Sequence, residues 1–209
     1  MSFGLKIFRD DGSLWISPDV TPLNYIGKVN FSSAGTFTTT IPSNKNLMIF
    51  LRNTTAASAT RVTTSNSGAF WVITIAQTNS GGVLYLFSNM VLNTSGWGVA
   101  VYNSVGEMVW NTDMLPLQMF MVNNPYGVSQ SGNFSVETGV QVAVTPGVCS
   151  TYIAVIDAPR NIFLWGVISA GAFGTRIYGV RTSGVQVEGQ KQVWKYKESF
   201  LCIDISKYP

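Results

Sequence analysis

Few side chains in this 209-residue chain can do acid–base, nucleophilic or metal chemistry: ten Asp and Glu, thirteen Lys and Arg, two Cys and no His. Without histidine the chain lacks the usual general base near neutral pH and the commonest metal ligand. Composition therefore disfavours catalytic-triad hydrolysis and ordinary zinc sites. Paired carboxylates could still act as acid and base on a glycosidic bond. The candidates are Asp10, Asp11, Asp19, Asp113, Glu137, Asp157 and Glu188. Asp19 and Asp113 stand just before Pro22 and Pro116, where a short acid more simply bonds nearby backbone. Asp10-Asp11-Gly12 lacks the regular ligand spacing of a calcium loop and reads as a solvent-facing turn. Gly171 to Gly174 is no phosphate loop, because no Lys-Ser or Lys-Thr follows. The sequence predicts no catalytic residue, no metal ligand and no cofactor.

Recognition chemistry is better supplied. Sugar rings stack on aromatic faces while their hydroxyls bond to amides. Trp97, Trp110, Tyr126, Trp165, Tyr178 and Trp194 are available for stacking. Asn123-Asn124-Pro125-Tyr126-Gly127 joins an aromatic to two amides in one loop, and loops on a rigid scaffold often carry function. The stretch Leu115 to Val122 holds Phe120 and Met121, adaptable side chains suited to a partner surface. The candidate interface or ligand residues are thus Phe120, Met121, Asn123, Asn124, Tyr126 and Trp194. Trp15, Trp71 and Trp110 lie in strand-like text and read as core.

These residues must be positioned by strands. Runs of Val, Ile, Thr and aromatics recur along the chain, punctuated by Gly, Asn, Ser and Pro. The pattern predicts strands at 5–9, 14–16, 36–41, 47–51, 70–76, 83–87, 99–102 and 107–110. Further strands are predicted at 118–122, 134–137, 140–144, 151–156, 162–168, 177–180, 185–187, 192–196 and 200–205. No segment carries a helical stripe with a cap. The fold class is all-β, an antiparallel β-sandwich of jelly-roll or immunoglobulin-like type.

An internal repeat sharpens this reading. Gly4-Leu5-Lys6-Ile7-Phe8 matches Gly98-Val99-Ala100-Val101-Tyr102, and Gly12-Ser13-Leu14-Trp15-Ile16 matches Gly106-Glu107-Met108-Val109-Trp110. Asp19 matches Asp113, and Pro22-Leu23 matches Pro116-Leu117, all at an offset of 94 residues. Each copy reads as a hairpin closed by a glycine turn and left through a proline. The repeat predicts two related sandwich domains, 1–95 and 96–209. One sandwich using the same hairpin twice is the competing reading.

Only 11% of residues are charged, and 46% are apolar. No Lys or Arg occurs between Val62 and Pro159, so the middle of the chain offers no basic stripe for phosphates. Nucleic acid is an unexpected partner. Cys149 and Cys202 sit in apolar strand text and are expected as buried free thiols. The opening residues do not read as a signal peptide. No apolar run reaches the roughly eighteen residues of a membrane helix, so membrane insertion is not expected.

The segments Gly98 to Asn103 and Gly106 to Asn111 resemble a hairpin that recurs in small tail-associated proteins of double-stranded DNA bacteriophages. Gly4 to Ile16 is similar, with Phe8 for Tyr102 and Trp15-Ile16 for Val109-Trp110. It departs where Arg9-Asp10-Asp11 replaces Asn103-Ser104-Val105, which charges its turn. The resemblance implies a virion component of the tail or tail tip, assembled in the host cytoplasm. It implies contacts with other virion proteins or with copies of itself, and no reaction. A capsid decoration, collar or head-fibre protein is one alternative. A carbohydrate-binding module that recognises a host surface glycan is another.

Overall fold

The computed structural model describes residues 7–8, 10–12, 14–17, 20–94, 96–124, 134–157, 159–160, 162–188 and 199–209. Among them the first eight strands are β1 (Ile7–Phe8), β2 (Leu14–Ile16), β3 (Asn24–Phe31), β4 (Gly35–Pro42), β5 (Met48–Asn53), β6 (Thr60–Ser65), β7 (Phe70–Thr78) and β8 (Gly82–Ser88). Then follow β9 (Ala100–Tyr102), β10 (Met108–Asn111), β11 (Phe120–Val122), β12 (Phe134–Glu137), β13 (Val142–Val144), β14 (Val148–Asp157), β15 (Ile162–Phe173), β16 (Arg176–Glu188) and β17 (Phe200–Asp204). A single 3₁₀ turn covers Ile205–Lys207. The described chain is all-β, as the alternation of apolar residues required. Its sheets are antiparallel, and one curls into a half-barrel. The strand predicted at 192–196 lies outside the described residues.

Three sheets form the body. The largest has the order β11-β17-β13-β5-β8-β3, a second is β12-β16-β15-β14, and a third is β4-β7-β6. The six-stranded sheet takes β3, β5 and β8 from one side of residue 95 and β11, β13 and β17 from the other. The two sets join where Leu51 of β5 pairs with Val144 of β13, beside a 2.6 Å bond from Arg52 Nη2 to Gln141 Oε1.

Strict alternation sorts the side chains of this sheet between two faces. On one face Ile49, Leu51, Leu84 and Leu86 meet Ile41, Ile73 and Ile75 of the three-stranded sheet. Further along, Val142, Val144, Phe200 and Cys202 meet Phe134, Ile168, Ala170, Ala172 and Ile177 of the four-stranded sheet. On the opposite face Phe50, Tyr85, Phe87, Ala143, Ile203 and Tyr208 form a third core that crosses the join. Central strands covered on both faces need unbroken apolar runs. Met48 to Leu51, Val83 to Phe87 and Val142 to Val144 are such runs.

Both cysteines are free and buried. Burial pushes the Cys202 thiol up to about 12, because the thiolate would lose its hydration. Burial likewise raises the phenols of Tyr25, Tyr85 and Tyr208. All four groups ionise more easily in the unfolded chain, so their linkage acts in one direction. For Cys202 the stabilisation is whole below the ordinary thiol value of 9.0 and is lost as pH rises toward about 12. The urea midpoint is therefore expected to fall steadily above pH ~9. An aromatic disulfide reagent near neutral pH should find neither thiol until the chain unfolds. A flat alkaline midpoint, or fast labelling of the folded chain, would contradict this.

Candidate functional site

The repeated hairpins stand apart from the three body sheets. In the first, Ile7 pairs with Ile16 and Phe8 with Leu14. In the second, Val101 pairs with Trp110 and Tyr102 with Met108, which is the same register shifted by the repeat. Trp15 and Val109 are the extra residues at matching bulges. Gly12 and Gly106 sit in their turns at φ +79° and +83°, where a Cβ would strain the backbone. Isolated two-stranded hairpins are marginal in water, and these two support each other. Ile7 of the first hairpin packs against the Val101–Val109 cluster of the second, as does Trp110. The exits meet as well: Leu117 N donates to Leu23 O at 2.8 Å, between equivalent positions of the two copies. Phe8 and Tyr102, also equivalent, both remain exposed.

The partner-contact candidates fall on a sheet margin. β11 ends the six-stranded sheet and pairs on one side only, with β17, among the described residues. Phe120 points toward the core shared with the four-stranded sheet and is half-buried. Met121 is 65% exposed, beside its register partner Leu201 at 38%. Asn123 is exposed, and its Oδ1 accepts a 3.0 Å bond from Ser199 Oγ. Asn124 is buried. Tyr126 and Trp194 lie outside the described residues. An unpaired strand margin with apolar side chains is a surface another strand can join.

The carboxylate candidates are scattered. Glu137 pairs with Arg176 at 2.8 Å, and Asp157 lies 3.6 Å from Arg160. The first bond accompanies a lowered Glu137 pKa, caused foremost by a hydrogen bond from Thr175. Asp10 and Asp11 lie exposed in the first hairpin turn, and the Asp113 N–H is bonded by Asn111 Oδ1 at 3.0 Å. Asp19 lies outside the described residues. No helix among the described residues is long and apolar enough to cross a membrane.

A polar pocket of about 520 Å³, absent from the sequence reading, opens beside the second hairpin. Its polar wall is Thr21, Lys45, Asn89, Asn93, Asn103 and Glu107. Met90, Val91, Met108 and Val109 supply the apolar part. These residues come from four separated segments, so no local motif announces them. The wall is held from beneath. Asn24, 1% exposed, donates from Nδ2 to Ser88 O at 2.9 Å and Met90 O at 2.8 Å. Asn111, also 1% exposed, donates to Leu92 O at 2.7 Å. Asn103 Nδ2 donates to Glu107 Oε2 at 2.9 Å, while its Oδ1 accepts from the Val105 and Glu107 N–H groups. No family model, curated protein or solved structure matches this chain.

Proposed function

We propose that the chain is a bacteriophage virion structural protein, a tail or tail-tip component that docks its neighbours through strand edges and loops. The margin of β11 that has no strand partner among the described residues, with Met121 beside Leu201, carries this reading. Strand addition there would satisfy backbone groups on both partners, and the exposed apolar pair would add burial. Low charge also favours large permanent interfaces, since few ionic groups must be dehydrated. The phage reading itself rests on the resemblance of the hairpins, whose two copies share one register. In the same reading each half is a sandwich-like unit, 1–95 and 96–209. Each unit lays its own smaller sheet over its part of the shared one.

The test has two parts. Mass analysis of purified phage heads and tails, with copy number, should place the chain in tails at a small symmetric number. Recovery in heads alone would overturn the tail reading in favour of decoration or collar, and absence from both would overturn the virion reading. Light scattering should show the purified chain as a discrete oligomer. Met121→Lys is expected to dissociate it while leaving stability within about 0.5 kcal/mol, because the side chain is exposed. An oligomer unchanged by that charge would remove β11 as the contact.

A further inference from the structure

We propose that the pocket beside the second hairpin binds a neutral saccharide through the hydroxyls of one pyranose ring. This inference stands on the pocket alone and does not depend on the docking role of β11.

Three observations lead there. The first is size, since about 520 Å³ suits one or two sugar rings and lies within the range of small-ligand sites. The second is preorganisation. Asn24 and Asn111 are almost wholly buried, yet both spend their amide donors on the backbone of the Ser88–Leu92 wall. Asn103 donates to the Glu107 carboxylate through Nδ2 and accepts from the Glu107 backbone N–H through Oδ1. A wall held this way loses little entropy when a ligand arrives.

The third is unused hydrogen-bonding capacity. Among the described residues, no hydrogen bond engages the Lys45 ammonium, the Asn93 amide or the Thr21 hydroxyl. Asn89 commits its Oδ1 to the Asn46 N–H at 2.8 Å, and its Nδ2 stays uncommitted. Glu107 keeps its second oxygen as an acceptor. The pocket thus presents several donors and a few acceptors around an apolar patch. Vicinal sugar hydroxyls each give and take a bond, and the ring's C–H face can lie on Met90 and Met108. One cation and one carboxylate in the same wall leave no net charge to select an ion. A nucleic acid would need a basic stripe, and Lys45 alone does not make one.

The experiment is saturation-transfer NMR on the full chain with glucose, galactose, mannose, N-acetylglucosamine and glucuronic acid, each up to about 20 mM. The expected result is saturable transfer to ring protons of at least one neutral sugar. Lys45→Ala and Asn93→Ala should each weaken it about fivefold or more, the loss of one useful hydrogen bond. Tyr102→Ser, on the same hairpin but outside the pocket lining, should leave it unchanged. Circular dichroism of each variant shows whether it keeps the native fold. No saturable transfer from any neutral sugar overturns the proposal. So does binding indifferent to both pocket variants, or a preference for glucuronic acid.

Discussion

Replacing Gly171 with alanine is expected to cost about 3 kcal/mol or more, the upper end of overpacking. Gly171 lies in β15, where that strand crosses the segment leaving β5. A Cβ there would press inside van der Waals contact of the Ser58 carbonyl oxygen and 2.8 Å from Asn53 Oδ1. Neither neighbour is the loose end of a flexible side chain. Ser58 is buried, and the next N–H, of Ala59, is held by Asn79 Oδ1 at 3.1 Å. The Asn53 amide is fixed by its bonds to Thr60 Oγ1 at 2.9 Å and Ser80 Oγ at 3.2 Å. Its Oδ1 is buried without a hydrogen-bond partner, so the glycine Cα–H is what fills the space before it. A 3 kcal/mol loss in a chain of this length corresponds to a melting temperature lower by about 6–12 °C. Gly147→Ala is the control. It meets open space, and its stability should stay within about 0.5 kcal/mol of the parent. Equal melting temperatures for the two variants would refute the steric account.

Phe87→Ala is expected to cost about 3–5 kcal/mol. The ring is fully buried, with centroids 5.5 Å from Phe50, 5.7 Å from Tyr25 and 4.9 Å from Tyr208. All three contacts are edge-to-face, a geometry that adds to simple burial. Tyr208 is also tied down at its hydroxyl, which accepts from the Gln118 N–H at 2.8 Å and lies 3.2 Å from Pro116 O. Removing the Phe87 ring opens a cavity against Tyr208. Burial is the main cause of that phenol's raised pKa, so water entry should bring its titration back toward 10.0. Tyr25 packs on the same Phe87 ring and is raised by burial as well, so absorbance near 295 nm should show at least one tyrosine ionising earlier in the variant than in the parent. A destabilised variant with an unchanged tyrosine titration would show that the cavity closes without admitting water.

The sequence made the buried strands legible wherever both faces are covered, because Val83 to Phe87 and Val142 to Val144 must be apolar throughout. It also made the hairpin pair legible, since the turn glycines and strand spacing repeat without a gap. β3 was missed for a physical reason. Asn24, Gly27, Lys28 and Asn30 interrupt its pattern, yet Asn24 is a buried staple and Gly27 falls at a bulge against β8. β6 is not among the predicted strands, because its Thr- and Ser-rich text suits exposed strands and turns alike and one of its faces meets solvent. β16 was expected as two strands, and Arg181 to Gly184 between them is polar. The long partner β15 carries that stretch through, with a bulge at Val167 and Ile168. The pocket had no local signature at all. Lys45, Asn89, Asn93 and Glu107 become neighbours only when the second hairpin settles against the body.

The position of β17 also bears on how the chain is made. Translation releases β11 and β13 long before residues 200–204, yet β17 is the strand that lies between them. At about 5–20 residues per second, β11 waits roughly 4–16 s for its neighbour. During that interval Phe120, Met121 and Val122 lack the backbone partners that β17 supplies in the finished sheet. Half-made chains on a polysome therefore expose the edge of β11 that β17 covers in the finished sheet, and crowded nascent chains can capture one another there before the sheet closes.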